Sequence, residues 1–248
     1  MNAVLSEVLS GASSVLGSEL VGAYLHGSLA SGDFDPITSD VDLVVVTSRE
    51  LPDATVSALA AMHDAIASGG RRWAQRLEAS YIPLAALRRH DPARAMHPRI
   101  GIGSPLARKP HGSSWTIERY ILRERGVTLV GPPPRELIDA VTTAELKGAV
   151  AGVLRDFWAL QLDDAEFLRT REYQAFGVLT MCRALHTLEC GAVASKPTAA
   201  RWAIQTLDAP WPAIVLRALA WSHEDQPDGL EETRALIRVT LERARSIS

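Results

Sequence analysis

Cysteine is nearly absent from this chain: two residues in 248, Cys182 and Cys190. Both fall in a helical pattern without metal-like spacing, which leaves no disulfide framework and predicts a reducing, cytoplasmic setting. No apolar run approaches the length of a membrane span, so no spanning helix is expected. The opening "MNAVLSEVLSGASSVLGSEL" has neither a basic stretch nor a long apolar core, and so does not read as a signal peptide. Excess charge of one sign is also missing. A formal net charge of −3 argues against broad electrostatic binding to nucleic acid. The seven histidines show no ligand-like spacing, and there is no internal repeat and no low-complexity tract. What remains is ordinary globular material, 47% hydrophobic and 22% charged, long enough for one large domain or two modest ones.

The pattern changes character once along the chain. Val4, Leu5, Val8, Leu9, Val15 and Leu16 recur at helical spacing. "LVGAYLHG" (20–27) and "VDLVVVTS" (41–48) read as strands, and "TVSALAAMHDAIAS" (55–68) as a helix stopped by Gly69-Gly70. "RLEASYIP" (76–83) is a third strand, whereas 84–114 is poorly periodic and rich in Pro, Gly and Arg. A helix over 115–126 and a short strand over 127–134, closed by three prolines, complete this half. From residue 142 the pattern is helical almost without break. Thr142 and Glu145 have capping-box spacing for a helix to about Leu162, a long helix lies within 163–191, and three more follow at 196–207, 211–222 and 229–247. The expected architecture is α+β: a domain over 1–138 with a small mixed sheet flanked by helices, and an all-helical bundle over 139–248.

The chemistry is concentrated in "YLHGSLASGDFDPITSDVDLVVV" (24–46). Alternate residues of a strand share a face, so Asp40 and Asp42 project together at the head of a run that otherwise favours burial. Two like charges this close settle best beside a cation, and magnesium, which takes oxygen ligands and leaves positions open for phosphate, suits them. Two such ions can bridge a carboxylate pair and stabilise in-line displacement at phosphorus. Upstream, Gly27 lets a phosphate approach the backbone and Ser28 offers a hydroxyl, as does Ser39 just before Asp40. His26 adjoins Gly27 and reads equally well as a pocket-lining residue or as an ordinary strand-end histidine.

Strand, Gly-Ser, a glycine-containing loop and then Ser-Asp-x-Asp leading a β-branched run resembles the signature of the nucleotidyltransferase superfamily related to DNA polymerase beta. That superfamily uses a third carboxylate on a neighbouring strand, and Glu78 in "RLEASYIP" sits where it is expected. In the second half, "MCRALHTLE" (181–189) and "GAVASKPTAARWAIQTL" (191–207), with "ERYILRERGVTLVGPPP" (118–134), resemble the streptomycin/spectinomycin adenylyltransferases, which are aminoglycoside nucleotidyltransferases. The resemblance implies transfer of AMP from ATP, with magnesium as two ions in the family's manner, to a hydroxyl of a cationic aminocyclitol, with release of pyrophosphate.

By the same resemblance Asp40 and Asp42 are the metal-binding pair. Glu78 is the catalytic base and the third carboxylate at the metal, and Gly27, Ser28 and Ser39 are triphosphate-binding positions. Lys196 and Arg183 reach the nucleotide from the second domain, and Trp221 stands where the family has a tyrosine. Lys196 also has a physical reading of its own. Ser195 is a natural N-cap and Pro197 suits a first turn, so a bound phosphate would resolve the conflict between a lysine and the helix dipole. Carboxylates for a cationic acceptor are sought at Glu172, Asp163, Asp164 and Glu166. Tyr173, rather than Glu172, aligns with the family's acidic position. The loop between Gly32 and Ser39 is one residue longer than in the family, and 84–114 lacks the tryptophan that holds streptomycin. The same residues leave room for a transferase acting on another small hydroxylated metabolite or a protein hydroxyl, or for a nucleotide-binding protein without catalysis.

Overall fold

The valine run expected over 41–48 is an inner strand of a six-stranded mixed sheet in the structure, a computed structural model that describes residues 1–36, 39–221 and 228–247. The chain divides into two compact units, Met1–Ala140 and Val141–Ser248. In the first, chain order is α1 (Asn2–Leu16), β1 (Leu20–Leu25), α2 (Gly27–Ser31), β2 (Val41–Thr47), α3 (Asp53–Ser68), α4 (Arg72–Gln75) and β3 (Leu77–Pro83). Then come α5 (Leu84–Arg88), β4 (Met96–Gly101), β5 (Ser104–Pro110), α6 (Ser114–Arg125), β6 (Val127–Val130) and α7 (Pro134–Leu137).

The strand order is β5-β4-β3-β2-β1-β6. Only β2 and β3 run parallel. Parallel neighbours need a crossover, and α3 supplies it. Both strands are covered on both faces, which is why β2 reads as a continuous apolar run. Val41, Leu43 and Val45 with Leu77, Ala79 and Tyr81 pack on Val4, Val8, Leu59 and Ile66 of α1 and α3. Val44, Val46 and Ile82 turn the other way, onto Leu87, Trp115, Leu122 and Leu137 of α5, α6 and α7. Each such side chain contributes about 1.5–3 kcal/mol by leaving water.

The segment 84–114, poorly periodic in sequence, holds α5 and the β4–β5 hairpin. Its periodicity is hidden because Pro98, Pro105 and Pro110 lie within strands, at places where few ladder bonds are required. β4 pairs with β3 only at Ala79↔Ile100 and Ser80↔Arg99, and β5 is an edge.

The second unit is helical: α8 (Thr143–Val153), α9 (Arg171–Cys190), α10 (Lys196–Thr206), α11 (Trp211–Leu219) and α12 (Leu230–Ile247). The capping box is present, with Thr142 Oγ1 accepting from the Glu145 N–H (3.2 Å) and Glu145 Oε2 accepting from the Thr142 N–H (2.8 Å). The helix it starts leaves α geometry earlier than the expected Leu162, passing through a π turn (Leu154–Trp158) and a 3-10 turn (Ala159–Leu162). The helix expected over 211–222 stops at Leu219, and Ser222 lies outside the described residues. Among the described residues, no helix is long and apolar enough to cross a membrane.

Candidate active site

Asp42 and Glu78 are direct partners in the parallel β2–β3 register. Both alternate with the core residues of the α1/α3 face, so their side chains share the other face, the one that carries α6. Asp40 lies just before β2. Its Oδ1 accepts from Arg76 Nε at 3.1 Å, and the Arg76 carbonyl accepts from the Val41 N–H. Glu78 Oε2 accepts from Arg99 Nη2 at 2.8 Å, while a Cβ placed on Gly101 would stand 4.0 Å from its Oε1. The outer two carboxylates thus each meet an arginine. Among the described residues, no group of three or more His, Cys, Asp or Glu side chains is arranged to hold a metal ion.

Asp42 is held differently. Burial raises its pKa, His26 works against that rise, and Glu118, Glu78 and Asp40 add to it. Its carboxylate rests against Gly27, the first residue of α2, where φ is 61°. The imidazole of His26 is buried, with Nδ1 3.2 Å from Glu118 Oε2 on α6. Burial disfavours the charged ring, but Glu118, with Asp42 and against Arg99, holds the His26 pKa above its usual value. Asp42 is a desolvated carboxylate raised further by Glu118, Glu78 and Asp40, and a hard cation with a preference for oxygen donors, such as magnesium, would relieve that repulsion.

Ser28 is half-buried in the turn after β1. Ser39 closes the loop before β2: its Oγ accepts from the Asp35 N–H (2.9 Å) and its own N–H donates to the Asp35 carbonyl (2.9 Å).

In the second unit Ser195 caps α10 as expected, its side chain accepting from the Thr198 N–H. Arg183 Nε donates to the Ala194 carbonyl (3.2 Å), which ties α9 to the turn before that cap. The Lys196 ammonium lies 4.9 Å above the Phe176 ring. Tyr173, Phe176 and Arg183 fall on one side of α9 at about 100° per residue, with Tyr173 and Arg183 about 15 Å apart along its axis, and Lys196 meets that side at Phe176. Tyr173 is half-exposed against Phe167, with ring centroids 4.6 Å apart, and Glu172 beside it is exposed.

Trp221 is placed elsewhere. It lines a shallow hollow with Arg171, Gln174, Ala175 and Val178, on the roughly opposite face of α9. Neither Arg183 nor Lys196 lines that hollow. Two of the acidic residues upstream of α9 are engaged locally, Asp164 Oδ1 accepting from the Glu166 N–H (3.0 Å) and Glu166 pairing with Arg169 (2.7 Å).

Arg76, Arg99 and Glu118 were not legible as site residues. Arg99 lies in the segment without periodicity, and Glu118 is one polar residue among several on an amphipathic helix.

Two family matches cover most of the chain. Residues 8–87 match the family described as "Nucleotidyltransferase domain", and residues 137–245 match "Aminoglycoside adenylyltransferase, C-terminal domain". The aminoglycoside (3'') (9) adenylyltransferase of Klebsiella pneumoniae is 29% identical over 236 residues, 86% of this chain and 82% of the relative. The spectinomycin 9-adenylyltransferase of Staphylococcus aureus (strain N315) is 25% identical over 203 residues, 78% of this chain and 74% of that one. In fold, the chain matches the spectinomycin adenyltransferase AAD(9) of Enterococcus faecialis, solved with ATP and spectinomycin. The TM-score is 0.76 over 99% of each chain, at 17% identity. The first unit thus matches a nucleotidyltransferase domain and the second the C-terminal domain of aminoglycoside adenylyltransferases, and over most of its length the chain is similar to those enzymes.

Proposed function

We propose that the protein transfers AMP from ATP to a hydroxyl of an aminocyclitol antibiotic of the streptomycin or spectinomycin type. The observation that carries this reading is the pairing of Asp42 and Glu78 in register on parallel strands, with the Gly27-Ser28 turn packed on Asp42. The names of the relatives and the ligands of the Enterococcus enzyme support the acceptor class. Magnesium would be held by Asp40 and Asp42, with Glu78 beside them, and would neutralise phosphate charge when bound.

The chain's own groups divide the remaining work. Gly27, Ser28 and Ser39 border the triphosphate, and Lys196 and Arg183 are assigned to the nucleotide by the same family resemblance. Trp221 is assigned to the nucleotide with less support, since it lies on the far face of α9. Glu78 takes the proton from the acceptor hydroxyl, whose oxygen then bonds to the α-phosphorus as the bond to pyrophosphate breaks. Arg99, on Oε2, leaves Oε1 for that proton. Glu172 and Tyr173 offer a carboxylate and an aromatic face to a cationic acceptor.

One observation favours a second acceptor class. Arg99 places a guanidinium directly on the base, which suits a less cationic hydroxylated metabolite better than a polycation.

Pyrophosphate release from ATP, followed over a panel of aminocyclitols, tests the reading. Streptomycin or spectinomycin should give turnover. Glu78→Gln should bind ATP as wild type does yet turn over roughly 10²–10⁴-fold more slowly. Failure of every aminocyclitol at millimolar concentration would leave the metabolite reading in its place.

A further inference from the structure

We propose that His26 and Glu118 form a positioning pair that holds the Gly27-Ser28 turn against Asp42 to receive the phosphates of ATP. The role rests on the nucleotidyl-transfer reading above. His26 is the hinge residue between β1 and α2. Its N–H donates to the Asp42 carbonyl (3.1 Å), extending the β1–β2 ladder one step past Leu25↔Leu43. Its side chain leaves the ladder for α6, where Nδ1 meets Glu118 Oε2 at 3.2 Å.

α6 is a firm base for such a contact. Trp115 and Leu122 bury it against the sheet, and Arg119 Nε donates to the Leu87 carbonyl (2.6 Å). The turn itself has mostly short-range bonds: Ser31 Oγ to the Gly27 carbonyl (2.9 Å) and the Asp33 N–H to the Ser28 carbonyl (3.2 Å). Neither fixes the turn to the rest of the fold; Leu29 packs it on the α1/α3 core, and the imidazole adds a polar contact with α6 just before it. Tolerance there is small, because the space of a Gly27 side chain is filled by the Asp42 carboxylate.

The contact needs a ring nitrogen at 26 and a carboxylate at 118, and a side chain without a polar atom at either position would remove the 3.2 Å approach of Nδ1 to Oε2.

The test is a double-mutant cycle on the full chain: Glu118→Ala, Glu118→Gln, His26→Ala and Glu118→Ala/His26→Ala. ATP affinity is measured by calorimetry with and without magnesium, alongside KM for ATP, kcat and melting temperature. Each alanine variant should bind ATP about 10-fold more weakly and raise KM by a similar factor, with kcat at saturating ATP within about 3-fold of wild type. The double variant should be no worse than the poorer single one, since the pair acts as a unit. Glu118→Gln, which keeps an oxygen acceptor for Nδ1–H, should recover most of the loss. Unchanged ATP affinity in the alanine variants, with or without a lower melting temperature, would overturn the proposal, as would losses that add in the double variant. A wild-type protein that binds no ATP would overturn the nucleotidyl-transfer reading itself, and the pair's role with it.

Discussion

At Gly27 the backbone takes φ 61°, and a Cβ there would lie 1.9 Å from Asp42 Oδ2. The first condition favours glycine on conformational grounds and the second excludes any side chain unless Asp42 moves. Gly27→Ala should therefore cost about 1–3 kcal/mol of stability, read from urea midpoints. It should also abolish turnover by displacing the Asp42 carboxylate. A variant with wild-type activity would show that Asp42 does not work from this position. Asp42 is also the residue whose protonation is made easier by its surroundings, through burial first and neighbouring carboxylates after it.

Elements are joined by a few specific side chains, and two of these joints make predictions. Thr142 and Glu145 satisfy each other's backbone N–H groups at the start of α8. Thr142→Ala should lower stability by about 1 kcal/mol, and thermal unfolding of the whole chain measures it. Between α3 and β3, the buried His63 shares a 2.7 Å hydrogen bond with the Tyr81 hydroxyl, and burial, against a small opposing effect of Asp64, pushes its pKa down to about 4. The sign follows from the unfolded chain, where histidine takes a proton near pH 6.5. As pH falls from 6.5 towards 4, the unfolded state binds a proton that the folded state refuses, so stability is lost across that window. Above it, His63 has no effect. The loss approaches about 1.4 kcal/mol per pH unit for one such group. His111, pushed down to about 3 mainly by burial, acts in the same direction. His63→Gln keeps a hydrogen-bonding partner for Tyr81 but cannot titrate, so its urea midpoint should fall less steeply than wild type between pH 6.5 and 4.5. Parallel curves would assign the acid sensitivity to other groups.

For the molecule as a whole, the family resemblance assigns the nucleotide to residues of both units, Gly27 and Ser28 in the first and Arg183 and Lys196 in the second. ATP bound as that resemblance implies would favour binding of the acceptor. Acceptor affinity should accordingly rise by about 5-fold or more when ATP and magnesium are present, within the usual range of coupling between sites. Calorimetry with spectinomycin and streptomycin, with and without nucleotide, measures it. Equal affinities would mean that the two ligands bind independently.

The sequence by itself determined whatever depends on near neighbours. Gly27-Ser28, Asp40-x-Asp42, the valines of β2, the Thr142 box and the Ser195 cap are local patterns, and the last three form the strand and helix starts that their spacing required, while Asp40 lies just before β2. The α+β class followed, because the switch from alternating to helical periodicity is visible along the chain. Only the tertiary structure decided the register that sets Glu78 beside Asp42, since periodicity fixes which face a residue takes but not which residue of another strand it meets. It also decided the β4–β5 hairpin, whose edge position tolerates the prolines that hide it, and through that hairpin the arrival of Arg99 at Glu78. The same holds for Arg76 on Asp40 and for Glu118 on His26. Charges that meet across dozens of residues of chain leave no mark on local spacing, because their partners are chosen by packing.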